Sequence, residues 1–219
     1  MFETMKADLQ AAIDGDPAAR NKAEVFFLYS GYKAVRKYRR AHWFFQHNMK
    51  LIARWLSQRA RHKTGVEIHP GATIGKGLFI DHGMGVVIGE TTVIGDYCLL
   101  YQNCTLGGTG KEHGKRHPTL GDHVLVGAGA KVLGPFKVGD YARIAAGAVV
   151  LNEIPANCTA VGVPAHVVGI NGVRPETLDQ IHYTDPVAQE LCRMRNEINL
   201  LRQDIEKIER KEVEKHDSV

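Results

Sequence analysis

The chain has 219 residues, 44% of them hydrophobic and 24% charged, which suits one soluble core domain with extensions. Its formal net charge of +4 favours an anionic small molecule without demanding nucleic acid. No apolar run approaches the roughly 18 residues needed to span a bilayer. The opening "MFETMKADLQ" lacks the charged-then-apolar order of a signal peptide. Cys98, Cys104, Cys158 and Cys192 form no Cys-x-x-Cys pair. A zinc knuckle, a disulfide framework and a membrane partner are therefore excluded, and a reduced, cytoplasmic protein is expected.

Residues 1–64 read as an N-terminal α-helical domain. "AEVFFLYSGYKAVRKYRRAHWFFQHNMKLIARWLSQRARHK" sets apolar residues three and four apart among many basic ones. The cluster "RKYRR", with Arg59, Arg61 and Lys63, invites a nucleic-acid reading. A solvated or subunit-facing helix surface is the preferred reading, and no nucleic acid is expected. Asp16-Pro17 in "GDPAA" has the form of an N-cap followed by Pro at the first helical position.

Residues 65–170 keep a six-residue beat. Ile68, Ile74 and Ile80 form one run. Ile88, Ile94, Leu100 and Leu106 form a second, and Leu120, Val126, Val132, Val138, Ile144 and Val150 a third. Small residues often follow four later: Ala72, Thr92, Cys98, Cys104, Ala130, Ala142 and Ala148. A period of six fits neither a long helix nor a long strand. It fits short strands and turns coiled so that each aliphatic side chain stacks on its counterpart. Cys98 and Cys104 on the small positions read as core fillers; a covalent acyl-cysteine is the other reading.

The beat fails twice, over "IDHGMGVV" at 80–87 and over "LGGTGKEHGKRHPTL" at 106–120. A long excursion from a regular solenoid usually marks function. "GGTGK" is not a P-loop, because Thr105 stands where that motif needs Gly and Glu112 where it needs Ser or Thr. Residues 171–219 form a C-terminal extension. There Val187, Leu191, Met194, Ile198, Leu201, Ile205 and Ile208 alternate steps of four and three, the seam of a coiled coil or of a helix packed on its own body.

The repeat resembles the hexapeptide-repeat family, which implies a mainly β solenoid, a left-handed parallel β-helix with three strands per coil. "EIHPGATIGKGLFIDHGMGVVIGE" (67–90), "TLGGTGKEHGKRHP" (105–118) and "GVPAHVVG" (162–169) together resemble the serine O-acetyltransferases, the bacterial and plant enzymes that start cysteine synthesis. The likeness covers residues from about 14 to 170 and implies transfer of acetyl from acetyl-CoA to L-serine. A serine hydroxyl is a weak nucleophile, and histidine suits the task of removing its proton.

The resemblance implies His82 as that base, oriented by an acid at Glu67, where better-known members carry Asp. It implies Asp16, Asp81, Arg116 and His117 as serine-binding residues; Arg presents a planar fork that matches a carboxylate. It implies Gly108, Thr109, Ala128, Arg143 and Ala146 along an acetyl-CoA groove, and no metal. It implies a homotrimer or a dimer of trimers, and L-cysteine as a feedback inhibitor. Members that end in Ile insert that end into O-acetylserine sulfhydrylase; the ending "EKHDSV" counts against such a complex. Two alternatives stay open: a hexapeptide-repeat transferase for another acceptor, and a zinc protein like the γ-type carbonic anhydrases, for which eleven histidines offer no convincing three-ligand spacing.

Overall fold

The computed structural model describes residues 2–110, 113–168, 194–195, 197–198 and 201. The chain divides into two compact units, Met1–Leu178 and Asp179–Val219. In the second, Met194, Arg195, Glu197, Ile198 and Leu201 are helical, and Met194, Ile198 and Leu201 are exposed. The remaining seam positions, Val187, Leu191, Ile205 and Ile208, lie outside the described residues.

The first unit begins with α1 (Phe2–Gly15), α2 (Lys22–Leu28), α3 (Ser30–Gln46) and α4 (Lys50–Thr64). α3 buries Gly31, Ala34, Val35, Tyr38 and Ala41, and α4 buries Ala53, Ser57, Ala60 and Thr64. These steps of three and four put one stripe of each helix inward. α4 ends at Gly65, whose φ of 71° is the left-handed conformation that glycine adopts freely after a helix.

Fifteen short strands follow among the described residues. β1 (Glu67–Ile68), β4 (Val87–Ile88), β7 (Thr105–Gly107), β10 (Lys131–Leu133) and β13 (Val149–Val150) form the first sheet. β2 (Thr73–Ile74), β5 (Val93–Ile94), β8 (Thr119–Leu120) and β11 (Lys137–Val138) form the second. β3 (Phe79–Ile80), β6 (Leu99–Leu100), β9 (Leu125–Val126), β12 (Arg143–Ile144) and β14 (Thr159–Val161) form the third, which β15 (His166–Val168) extends in antiparallel sense. All other strand pairs are parallel, and consecutive strands visit the three sheets in turn. The result is a parallel β-helix with three sides and three edges.

Its register shows how the two breaks are absorbed. In unbroken coils, partners lie eighteen residues apart, as Val87 with Thr105 and Leu125 with Arg143. Across the first break the offset is twenty, Glu67 with Val87; across the second it is twenty-six, Val93 with Thr119. Both insertions are expelled at edges while the stack continues. All thirteen beat residues are buried, none more than 8% exposed, and the small positions between them are sealed. Burial pushes the Cys98 thiol up to about 12 and Cys104 to about 11, which leaves both as neutral core fillers rather than nucleophiles.

The helices close one end and one side of the coil. Ala34, Val35 and Tyr38 of α3 join the prism core. The Tyr38 hydroxyl donates to the Ala72 carbonyl at 2.6 Å, and Ser57 Oγ to that of Ile68 at 2.8 Å. Ala12 and Val25 pack with Tyr32 against Phe79, Leu99 and Leu125 on the outer face of the third sheet. That is why the first residue of β3, β6 and β9 is buried, whereas the first residue of β2, β4 and β5 is exposed. A buried pair fastens the layers. Asp8 meets Arg39 at 3.1 Å and accepts the Leu78 N–H at 3.2 Å, while Arg39 also donates to the Ile74 carbonyl at 2.5 Å. Helices and coil therefore share their cores within one unit.

Candidate active site

Most of the family-implied residues gather on two edges of the prism. The edge between the third and first sheets carries the turn from β3 to β4, where the chain makes its first break. Asp81 continues the β3 ladder by donating its N–H to the Leu100 carbonyl at 2.9 Å. Its Oδ1 accepts the His82 N–H at 2.8 Å. His82 has φ 56°, the left-handed region, and its side chain is 72% exposed with Nε2 3.9 Å from Asp81 Oδ2. The turn presents an imidazole to solvent with a carboxylate beside it.

Asp16 joins this edge from the helical layer. No helix starts there, because α1 ends at Gly15 and α2 is capped by Asn21, whose side chain accepts the Glu24 N–H. The capping alternative is therefore replaced by a turn in which Asp16 Oδ1 accepts the Ala18 N–H at 2.8 Å. Its Oδ2 accepts the Tyr29 hydroxyl at 2.6 Å. The hydrogen bond to Asp16, partial burial, and the charges of Asp16, Glu24 and Asp81 push the Tyr29 hydroxyl up to about 12. Asp81 thus lies near enough to Tyr29 for its charge to be felt there, and Ser30 Oγ donates to the His82 carbonyl at 2.9 Å.

Down this edge, successive coils bring Gln102, Ala128 and Ala146 into line below Met84. The Asn103 N–H donates to the Met84 carbonyl, that of Gly129 to Gln102, and that of Gly147 to Ala128. Ala128 is half-buried and Ala146 exposed, so this column presents small side chains below Met84. Gln102 Oε1 on this column is buried without a hydrogen-bond partner. Arg143 lies on β12, at the outer face of the third sheet.

The edge between the first and second sheets carries the second break. Its returning strand is laced onto Thr91. The Thr91 hydroxyl accepts the N–H of Arg116 at 3.0 Å and of His117 at 3.2 Å. Lys115 Nζ donates to the Thr91 carbonyl at 2.8 Å. The Arg116 guanidinium grips the Glu90 carboxylate, and this bond first of all holds Glu90 below the usual carboxylate range. His117 is buried, and its Nδ1 takes the Thr91 N–H at 3.2 Å. Nδ1 must then be unprotonated, so the neutral ring carries its proton on Nε2. Burial, then the Arg116 charge, holds its pKa down. Gly89 has no side chain because a methyl there would overlap the His117 ring. Arg116 and His117 are therefore fixed groups rather than solvated loop charges. Gly108 and Thr109 are exposed at the start of the same break, with a Gly108 Cβ position 2.9 Å from the Arg116 carbonyl.

Glu67 stands on β1 between the two edges. Its carboxylate meets Arg54 at 3.5 Å and Arg61 at 3.2 Å, both from α4. Among the described residues no ion pair or hydrogen bond joins Glu67 to His82, and none joins the Asp81–His82 edge to the Arg116–His117 edge. Nor do the described residues contain a group of three His, Cys, Asp or Glu able to hold a metal ion, or a helix long and apolar enough to cross a membrane. Sequence reasoning missed Tyr29, Ser30, Arg54, Arg61, Glu90 and Thr91. Each is a polar residue in a helix or turn whose role comes from a contact distant in the chain.

Comparison with known proteins gives consistent results. Residues 117–152 match the bacterial transferase hexapeptide family, described as six repeats. A serine acetyltransferase of Synechococcus elongatus is 52% identical over 206 residues, 94% of this chain and 84% of that protein. The crystal structure of Neisseria gonorrhoeae serine acetyltransferase in complex with serine superposes with a TM-score of 0.74 at 39% identity, covering 77% of this chain and 69% of that one. A serine acetyltransferase in complex with cysteine gives a TM-score of 0.75 at 42% identity, covering 76% and 69%.

Proposed function

Given that this chain belongs to the serine acetyltransferases, enzymes that use acetyl-CoA as co-substrate, we propose that it acetylates L-serine by histidine general-base catalysis in a ternary complex. The observation that carries this reading is the division of charge between the two edges. One holds Asp16, Asp81 and an exposed imidazole; the other holds a guanidinium fixed by Glu90. Serine needs both, carboxylates for its ammonium and a cationic fork for its carboxylate.

His82 takes the proton of the serine hydroxyl as its oxygen attacks the thioester carbonyl. The tetrahedral adduct collapses, the C–S bond breaks, and the imidazolium returns the proton to the departing thiolate. O-acetylserine and free CoA result. Asp81 stands beside His82 in the free chain. The resemblance assigns the orienting acid to Glu67, which must then turn from Arg54 and Arg61 toward the ring when substrate binds. His117, neutral and donating through Nε2, lines the carboxylate end.

Both edges belong to one chain but do not meet within it. In a homotrimer, whose coils take the left-handed sense of the family, the acidic edge of one copy faces the cationic edge of the next. Acetyl-CoA then lies along the small-residue track Ala128–Ala146, with Gly108 and Thr109 on the opposing wall. Cysteine, bound in the similar structure, carries the same ammonium and carboxylate as serine and would compete for the same charges as an inhibitor.

The test is CoA thiol release from acetyl-CoA and L-serine, beside a serine-free control and His82→Asn. Release that needs both serine and His82 supports the reading. Release with a hydroxyl acceptor lacking a carboxylate, at an equal rate, would favour the alternative of another substrate.

A further inference from the structure

We infer that the junction of α2 and α3, Tyr29-Ser30-Gly31, is a positioning clamp that sets the serine-ammonium site and the catalytic histidine together. Three consecutive residues reach three points of the acidic edge. The Tyr29 hydroxyl donates to Asp16 Oδ2 at 2.6 Å. Ser30 Oγ donates to the His82 carbonyl at 2.9 Å. Gly31 lies against the Ile80 carbonyl, just ahead of Asp81, so closely that any side chain would overlap it. This inference rests on the reading of Asp16 and Asp81 as ligands of the serine ammonium.

The chemistry of each contact defines a separate job. Asp16 sits in a loop, and a loop carboxylate with one backbone bond can rotate about its side-chain torsions. The Ala18 N–H holds one oxygen and Tyr29 the other, so the carboxylate plane is set. Because its hydroxyl stays protonated far above neutral pH, Tyr29 donates throughout the working range. Tyr29 is also the residue that precedes α3, a place usually given to Ser, Thr, Asp or Asn, and its side chain makes no capping bond. It serves Asp16 instead. Ser30 acts on the other partner. His82 has left-handed backbone, and its carbonyl, turned toward α3, accepts from Ser30. That bond fixes the peptide from which the exposed imidazole projects.

The test is steady-state kinetics on Tyr29→Phe, Ser30→Ala and Asp16→Asn beside the wild type, with melting curves. Tyr29→Phe keeps the ring and removes one hydrogen bond to a charged group. It should raise KM for serine about tenfold. It should leave KM for acetyl-CoA and kcat close to wild type. Ser30→Ala should lower kcat severalfold and leave KM for serine nearly unchanged. A wild-type serine KM in Tyr29→Phe overturns the clamp. So does a uniform loss in every constant with a lower Tm, which a merely structural role would produce. If Asp16→Asn also keeps the wild-type serine KM, the ammonium-site reading falls with it. If Asp16→Asn raises that KM and Tyr29→Phe does not, the clamp alone is wrong.

Discussion

The two edges of the prism that carry the proposed site are built in opposite ways. The cationic edge is finished within the prism itself, by contacts between two successive coils. Thr91 takes two backbone N–H groups, Glu90 holds Arg116, and His117 is buried against Gly89. The acidic edge is unfinished without the helices. His82 is exposed, and Asp16 arrives from the α1–α2 loop under the hold of Tyr29. A rigid fork and an externally braced imidazole suit the different demands of the proposed reaction. Carboxylate recognition needs fixed geometry, whereas proton transfer needs an accessible ring.

The largest effect tests the base itself. His82→Asn keeps a residue that tolerates φ of 56° while removing the imidazole. It should lower kcat by about 10²–10⁴-fold with an unchanged Tm. Next comes the brace. Asp8→Ala leaves Arg39 buried and unpaired between helices and coil, and should cost about 3–5 kcal/mol in denaturant unfolding. A smaller loss falls on the cationic edge. Arg116→Ala should raise KM for serine about 10- to 100-fold. It should spare KM for acetyl-CoA, and Arg116→Lys should recover only part of the loss because it lacks the planar fork.

The cationic edge also responds to acid. Burial holds both His69 and His117 below the usual imidazole value of 6.5. The unfolded chain then binds their protons more readily, so their contribution to stability is present above pH about 6.5 and is lost as the pH falls below it. Glu90 titrates lower still and does not contribute in that window. Melting curves from pH 7.5 to 5 should show Tm falling, and His117→Gln should flatten the slope. The smallest effect is expected in the core. Cys104→Ala should cost on the order of 1 kcal/mol and leave thiol-release activity intact, and neither Cys98 nor Cys104 should react with a thiol reagent in the folded protein.

The prism could be read from the beat because burial repeats with the coil. Ile68, Leu100 and Val132 carry the same side-chain demand at every turn. The second break was legible as an insertion, and Arg116 and His117 sit where it returns. What escaped was contact distant in sequence. Nothing local to Tyr29 announces Asp16, and nothing in α4 announces that Arg54 and Arg61 will hold Glu67. The pairing of Glu67 with His82, implied by resemblance, is not formed in the free chain. The first-position apolar residues Phe79, Leu99 and Leu125 were equally silent, since α1, α2 and Tyr32 of α3 make that outer face an inside.

The central claim is that one site needs the acidic edge of one copy and the cationic edge of another. Co-expression of His82→Asn and Arg116→Ala chains with different tags, followed by tandem purification, isolates mixed oligomers. In a cyclic trimer of both chains about one interface in three joins two intact edges. The mixed oligomer should therefore regain about a third of wild-type CoA thiol release, though each parent is nearly inactive. Mixed oligomers no more active than either parent would place both edges at the same substrate within a single chain and contradict the account.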